Sequence, residues 1–106
     1  MEKNKTLIKK CPITQTIHLI CGKWTLPIIY TLMSGEKRFN ELEKSIEGIN
    51  TRMLVKELKQ LEGNKLITRT VYAQIPPKVE YKLTEKGKEL EVVMNELKKW
   101  GKKYML

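Results

Sequence analysis

Residues 38–87 read RFNELEKSIEGINTRMLVKELKQLEGNKLITRTVYAQIPPKVEYKLTEKG, and the order of local signals in this stretch decides the architecture. An amphipathic segment, Phe39 to Ile46, runs into Glu47-Gly48-Ile49-Asn50, where glycine supplies a tight turn. A second amphipathic segment covers Thr51 to Glu62. Two alternating runs follow, Ile67 to Ala73 and Val79 to Leu83, separated by Gln74-Ile75-Pro76-Pro77-Lys78. Proline cannot donate to a ladder, so the Pro76-Pro77 pair belongs to a loop and the runs form a hairpin with its tip at residues 74–78. Helix, turn, helix and hairpin in this order are the plan of a winged helix-turn-helix, mainly α with a β-hairpin wing in an α+β arrangement.

Within the second segment, Leu54, Leu58 and Leu61 recur at i, i+4 and i+7 and share one face. Arg52, Lys56 and Lys59 repeat the spacing, and about 100° of rotation per residue puts them on the opposite face. A helix with one apolar and one basic stripe can pack on its own domain and face a DNA groove. Many solvated helices share that pattern, but the adjoining turn and hairpin favour the recognition-helix reading. The candidate DNA-contacting residues are therefore Asn50, Thr51, Arg52 and Lys56 on the helix, with Arg69 and Lys78 on the wing. Arg38 and Asn40 join them at the start of the preceding helix, which Asn40 is expected to cap. Arg52 is expected at a base edge, and Lys78, Arg38 and Asn40 at phosphates.

The charge balance agrees. The 106 residues carry 21 Lys and Arg against 12 Asp and Glu, a formal net charge of +9 with a pI near 9.6. Such a surface attracts polyanions without choosing among DNA, RNA and anionic lipid. The three arginines, Arg38, Arg52 and Arg69, all fall inside the helix-turn-helix and wing. Arginine's planar fork suits phosphates and guanine edges better than lysine's point charge does, although three residues also cluster by chance. A chain 41% hydrophobic and 31% charged fits one globular domain spanning residues 1–106.

Outward from the central stretch, residues 1–10 read as a flexible basic arm. Pro12 suits the first position of a helix that runs to about Cys21, with Cys11 near its N-cap, and Gly22 breaks it. A second helix begins near Trp24, with Pro27 in its first turn, and ends at Ser34-Gly35. Thr84 caps a last helix, taken as one element over residues 84–106, with Glu85 and Glu89 early and Lys98, Lys99, Lys102 and Lys103 late, as the helix dipole favours. Its stripe of Leu90, Val93, Met94, Leu97, Trp100, Gly101 and Tyr104 is longer than a small core needs. Pure core packing is one reading of this stripe, and a homodimer contact is the favoured one. The interface is expected to comprise Leu90, Val93, Met94, Leu97, Trp100 and Tyr104, with Ile13 and Ile17 of the first helix packed alongside.

Several classes are set aside by residues the chain lacks. No apolar run approaches the ~18 residues a membrane-spanning helix needs, and residues 1–5 carry no signal-peptide core, so a cytoplasmic protein is expected. The cysteines, Cys11 and Cys21, are ten residues apart rather than in a Cys-x-x-Cys pair. There is no Gly-rich phosphate loop, no Ser-His-Asp set and a single histidine, so neither an enzyme nor a cofactor is expected. Cys11, His18 and Cys21 lack the spacing of a zinc site, and no metal is expected. Cys11 itself, at a helix N-terminus beside Lys9 and Lys10, is placed to form a thiolate; it is a sensing candidate or a plain capping residue. Cys21 shares a helix face with Ile17 and reads as a buried, inert thiol.

The accumulated motifs resemble the HxlR-type regulators, a branch of the MarR-like winged-helix transcription factors. The resemblance runs from Cys11-Pro12 to Trp100-Gly101. It takes in Gly22-Lys23-Trp24-Thr25, Gly35 with Arg38-Phe39-Asn40-Glu41-Leu42, Gly48-Ile49-Asn50-Thr51-Arg52-Met53-Leu54, Leu58, and Leu61-Glu62. It continues through Pro76-Pro77-Lys78-Val79-Glu80-Tyr81, Leu83-Thr84 and Gly87. It implies a homodimer joined through its terminal helices on a pseudo-palindromic double-stranded operator, the fourth helix in the major groove and the wing on the flanking backbone or minor groove. Some members are similar in carrying a cysteine before that proline and use it to detect oxidants or electrophiles; others of this type would answer to a small-molecule effector, which nothing in the sequence identifies. The chain departs from the family in one place. Where Asp-Gly-Leu is usual it has Asn64-Lys65-Leu66, with glycine earlier at Gly63, so Asn64 or Lys65 is expected to take a left-handed conformation.

Overall fold

The computed structural model describes residues 11–106, so the basic arm at 1–10 lies outside the described residues. The elements are α1 (Pro12–Ile20), α2 (Thr25–Leu32), β1 (Lys37–Arg38), α3 (Phe39–Ser45), α4 (Thr51–Gly63), β2 (Ile67–Tyr72), β3 (Lys78–Leu83), α5 (Glu85–Lys88) and α6 (Leu90–Tyr104). Cys11 occupies the N-cap of α1 with Pro12 behind it, as the proline's missing N–H allows. The strands form one antiparallel sheet in the order β1-β3-β2. Ile67 stands opposite Leu83, Arg69 opposite Tyr81 and Val71 opposite Val79; on the other side Lys37 faces Tyr81 and Arg38 faces Glu80. β1 was not foreseen, because two residues are too short to show alternation.

One core holds these pieces together. Ile28, Ile29 and Leu32 of α2, Leu42 of α3, Leu54, Leu58 and Leu61 of α4, and Leu66, Ile67, Tyr81 and Leu83 around the hairpin are all buried. Ile46 and Ile49 close the core under the turn, and Trp24 stands against Gly48. Gly48 has φ +87°, and a Cβ there would sit 3.5 Å from the Trp24 ring, so the turn takes glycine mainly for its backbone. The outer end of β2 and the loop stand free of this core, since Val71, Tyr72 and Ile75 are exposed, while Val79 of β3 packs against it.

α4 ends in a Schellman motif. The Lys65 N–H donates to the Glu62 carbonyl (3.0 Å) and the Leu66 N–H to the Leu61 carbonyl (3.0 Å), while Leu61 and Leu66 meet in the core. The left-handed residue this motif requires is Lys65, with φ +61°. Asn64 remains right of the boundary at φ −86°.

Four expectations are corrected here. α3 starts at Phe39 with Arg38 as its N-cap, and Asn40 sits in the first turn rather than capping; the free N–H of Arg38 is met by the Glu41 carboxylate at 3.0 Å. The last helix is two, broken at Glu89, because α5 is tied to the turn after α4 while α6 follows its own apolar stripe. In that tie the Thr84 hydroxyl donates to the Lys65 carbonyl (2.6 Å), the Thr84 N–H donates to the Leu66 carbonyl (3.0 Å), and Gly87 presses on the same carbonyl. Met94 is buried in the chain's own core and is not on the exposed stripe. Cys21 is exposed, since α1 turns Ile20 inward and leaves the Ile13–Ile17–Cys21 face in solvent.

Candidate nucleic-acid interface

α4 divides its faces as its sequence predicts. Leu54, Leu58 and Leu61 are at most 2% exposed, and Arg52, Lys56 and Lys59 are all exposed on the other side. The first turn is tightly organised. The Asn50 side chain accepts from the Met53 N–H at 2.8 Å, capping the helix. The Thr51 hydroxyl donates to the Glu43 carboxylate of α3 at 2.7 Å. Both are therefore structural as well as exposed: Asn50 keeps its amide NH2 and one lone pair of its carbonyl oxygen to offer, and Thr51 only its oxygen lone pairs. Arg52 makes no ion pair among the described residues.

The other candidates gather on the β1–β3 pair. Arg38 lies opposite Glu80, and Lys78, two residues earlier on β3, shares Glu80's face. Lys78 is half-buried, not at the free tip: it pairs with Glu80 and lies over the Tyr72 ring at 5.1 Å. The loop tip is 73–77, whose residues are all exposed. Glu36 completes this cluster, a carboxylate that sequence reasoning missed because only the β1–β3 pairing brings it to Glu80. The Lys78 ammonium, and then the hydrogen bond shared with Glu36, hold the Glu80 carboxyl below the usual carboxylate range; Glu36 is raised by its hydrogen bond to Glu80 and the repulsion between the two. Arg69 is exposed on β2, on the opposite edge of β3, and Asn40 is exposed in the first turn of α3.

Away from this surface, α6 presents an apolar stripe with no cover. Val93, Leu97, Trp100 and Tyr104 are 43–61% exposed, with the Trp100 and Tyr104 rings 5.2 Å apart, and Leu90 is half-buried against the core. Ile13 and Ile17 are also exposed, on α1. Cys11 makes no capping hydrogen bond, but the backbone N–H of Thr14 and then that of Ile13 favour its thiolate and hold its pKa below the ordinary thiol value. Lys9 and Lys10, expected beside it, lie outside the described residues. Among the described residues no group of His, Cys, Asp and Glu is arranged to hold a metal ion, and no helix is long and apolar enough to cross a membrane.

The profile of the HxlR-like helix-turn-helix family matches residues 19–106. The chain is 49% identical, over 89% of its own length and 73% of the other's, to the uncharacterised HTH-type transcriptional regulator YdeP of Bacillus subtilis. Its fold superposes with a TM-score of 0.86, at 38% identity, on a structure assigned to the MarR family of transcriptional regulators from Porphyromonas gingivalis, covering 91% of this chain and 94% of that one. It is also similar, at 43% identity and a TM-score of 0.82 over 88% of this chain and 96% of that one, to the redox regulator HypR in its oxidised form.

Proposed function

This chain belongs to the HxlR-like helix-turn-helix family of transcriptional regulators, and on that premise we propose that it binds a pseudo-palindromic DNA operator as a homodimer. The observation that carries this reading is the division of α4 into a fully buried leucine face and an exposed basic face led by Arg52. In this reading α4 enters the major groove, with Asn50, Thr51, Arg52 and Lys56 toward the bases. Arg38, Asn40, Arg69 and Lys78 hold the flanking backbone. Residues 1–106 act as one domain, and the exposed stripe of α6, with Ile13 and Ile17 of α1, joins two copies. Footprinting with sedimentation tests it: a dimer should protect two half-sites about one helical turn, or a small multiple, apart. A monomer at micromolar concentration that protects no DNA would dispose of the proposal.

Cys11 supports a second layer. Its lowered pKa and its position on the helix that carries Ile13 and Ile17 fit a thiol whose oxidation or alkylation disturbs the dimer, and the similarity to a redox regulator points the same way. Modification need only disfavour the DNA-bound geometry by a few kcal/mol to empty an operator. Operator affinity before and after diamide, in the parent and in Cys11→Ser, decides it. If oxidised parent binds as well as reduced, Cys11 is structural and the signal is an effector bound elsewhere.

A further inference from the structure

The hydrogen bond between α3 and the first turn of α4 carries a consequence for which base is read. The Thr51 hydroxyl, at the first position of α4, donates its one proton to Glu43 Oε2 at 2.7 Å. An ionised carboxylate only accepts, so this bond has one direction, and a charge-assisted bond of that length is among the strong ones. Threonine ordinarily serves as donor or acceptor and so discriminates poorly between bases. Here its donor is spent, and its oxygen faces outward as an acceptor alone. Next to it, Asn50 spends one lone pair of its carbonyl oxygen on the Met53 N–H and keeps both N–H donors of its amide free, and Arg52 is donor-only by nature. The first turn thus presents donor, acceptor and donor in sequence order.

We infer that Glu43 is a positioning residue for specificity: by holding the Thr51 proton it makes Thr51 select a base with an amino group, adenine or cytosine, on the strand it faces. In the major groove adenine N6 and cytosine N4 are donors, whereas guanine O6 and N7 and thymine O4 are acceptors. A locked Thr51 pairs with the first set and places lone pair against lone pair on the second. Glu43 itself is half-buried on α3 and reaches the start of α4 through this bond. This inference rests on the DNA-reading role proposed above and adds the chemical class of base.

The test is enrichment of the full chain on a randomised duplex library, with sequencing of bound DNA. The position governed by Thr51 is the one whose preference changes in Thr51→Val. There the parent should favour A or C over G or T by about five- to tenfold. Thr51→Ser should keep the preference, Thr51→Val should lose it, and Glu43→Ala should reduce it to about twofold or less by freeing the hydroxyl to donate. Glu43→Gln keeps the shape but both donates and accepts, and it should relax the preference too; circular dichroism confirms that each variant is folded. If the Glu43 variants weaken all sequences alike and leave the amino-to-keto ratio unchanged, Glu43 merely staples the turn and the inference fails. A parent preference for G or T at that position also overturns it. If the parent enriches no sequence at all, the DNA-reading proposal falls with it, a result distinct from the other two.

Discussion

Arg52 and Cys11 show how a single side chain's surroundings set what it can do. Arg52 stands exposed in the first turn of α4, and among the described residues no carboxylate competes for its guanidinium. On the proposed docking, Arg52→Ala should cost about 1–3 kcal/mol of operator affinity and relax specificity at one position, measured by titrating single-base operator variants. Uniform weakening across all variants would place it on phosphate instead. Lys78 is different, because it is already neutralised by Glu80. Lys78→Ala should therefore lower the salt slope of binding by less than the roughly one unit that a free phosphate contact is worth. It should also raise the Glu80 pKa toward the ordinary carboxylate range, since Lys78 is the largest cause of its depression, and carboxyl NMR titration reads this directly. For Cys11, two backbone amides favour the thiolate. Its iodoacetamide reaction should reach half its maximal rate at a pH below that of an ordinary thiol, with the rate rising as pH passes that point. Because Cys21 is exposed and Cys11 only half-buried, a faster Cys11 at neutral pH would reflect ionisation rather than access. Equal rates would return Cys11 to a packing role.

At the scale of elements, the joint between α4 and the wing depends on two backbone positions. Lys65 carries the left-handed conformation of the Schellman motif, which a side chain makes costly and glycine does not. Lys65→Gly should stabilise the protein by about 1 kcal/mol in urea unfolding; no gain would mean that the bonds around Lys65 already offset the strain. Gly87 is the converse. A Cβ there would stand 2.3 Å from the Leu66 carbonyl oxygen, and that backbone cannot retreat while the same carbonyl accepts from Thr84. Gly87→Ala should destabilise by about 1–3 kcal/mol, the usual range for overpacking, and a melting curve unchanged from the parent would contradict the close approach. Both substitutions act where α4, the hairpin and α5 converge, so they bear on the angle at which the wing leaves α4.

For the whole molecule, the question is what covers α6. Leu97 and Trp100 are 53% and 59% exposed, so their loss removes little of the protomer's own core. Changing both to polar residues should give folded monomers, with native circular dichroism and halved sedimenting mass. A folded, fully dimeric double variant would remove α6 from the interface. Met94 would serve as the contrast: at 8% exposure it is core, and Met94→Ala should cost about 2–5 kcal/mol of stability.

The sequence by itself determined the order of the main helices and the hairpin, the leucine and basic faces of α4, the turn at Gly48 and the family. These are local or periodic properties, written in residues close together along the chain, where spacing alone dictates which side chains share a face. It also carried the need for a left-handed residue after α4, since the displaced glycine at Gly63 leaves the demand visible. Only the tertiary structure decided that Lys65 meets that demand, that the terminal helix breaks at Glu89, and that Met94 belongs to the core while Cys21 does not. It alone paired Glu36 and Lys78 with Glu80, and Glu43 with Thr51. Most of those outcomes depend on how separate elements pack against one another, which no periodicity in a single sequence reports; Lys78 and Glu80, two residues apart on one strand face, are the exception. The core-facing leucines announce themselves because burial imposes a repeat; the polar partners that set charge and hydrogen-bond direction do not, because one contact suffices to place each of them.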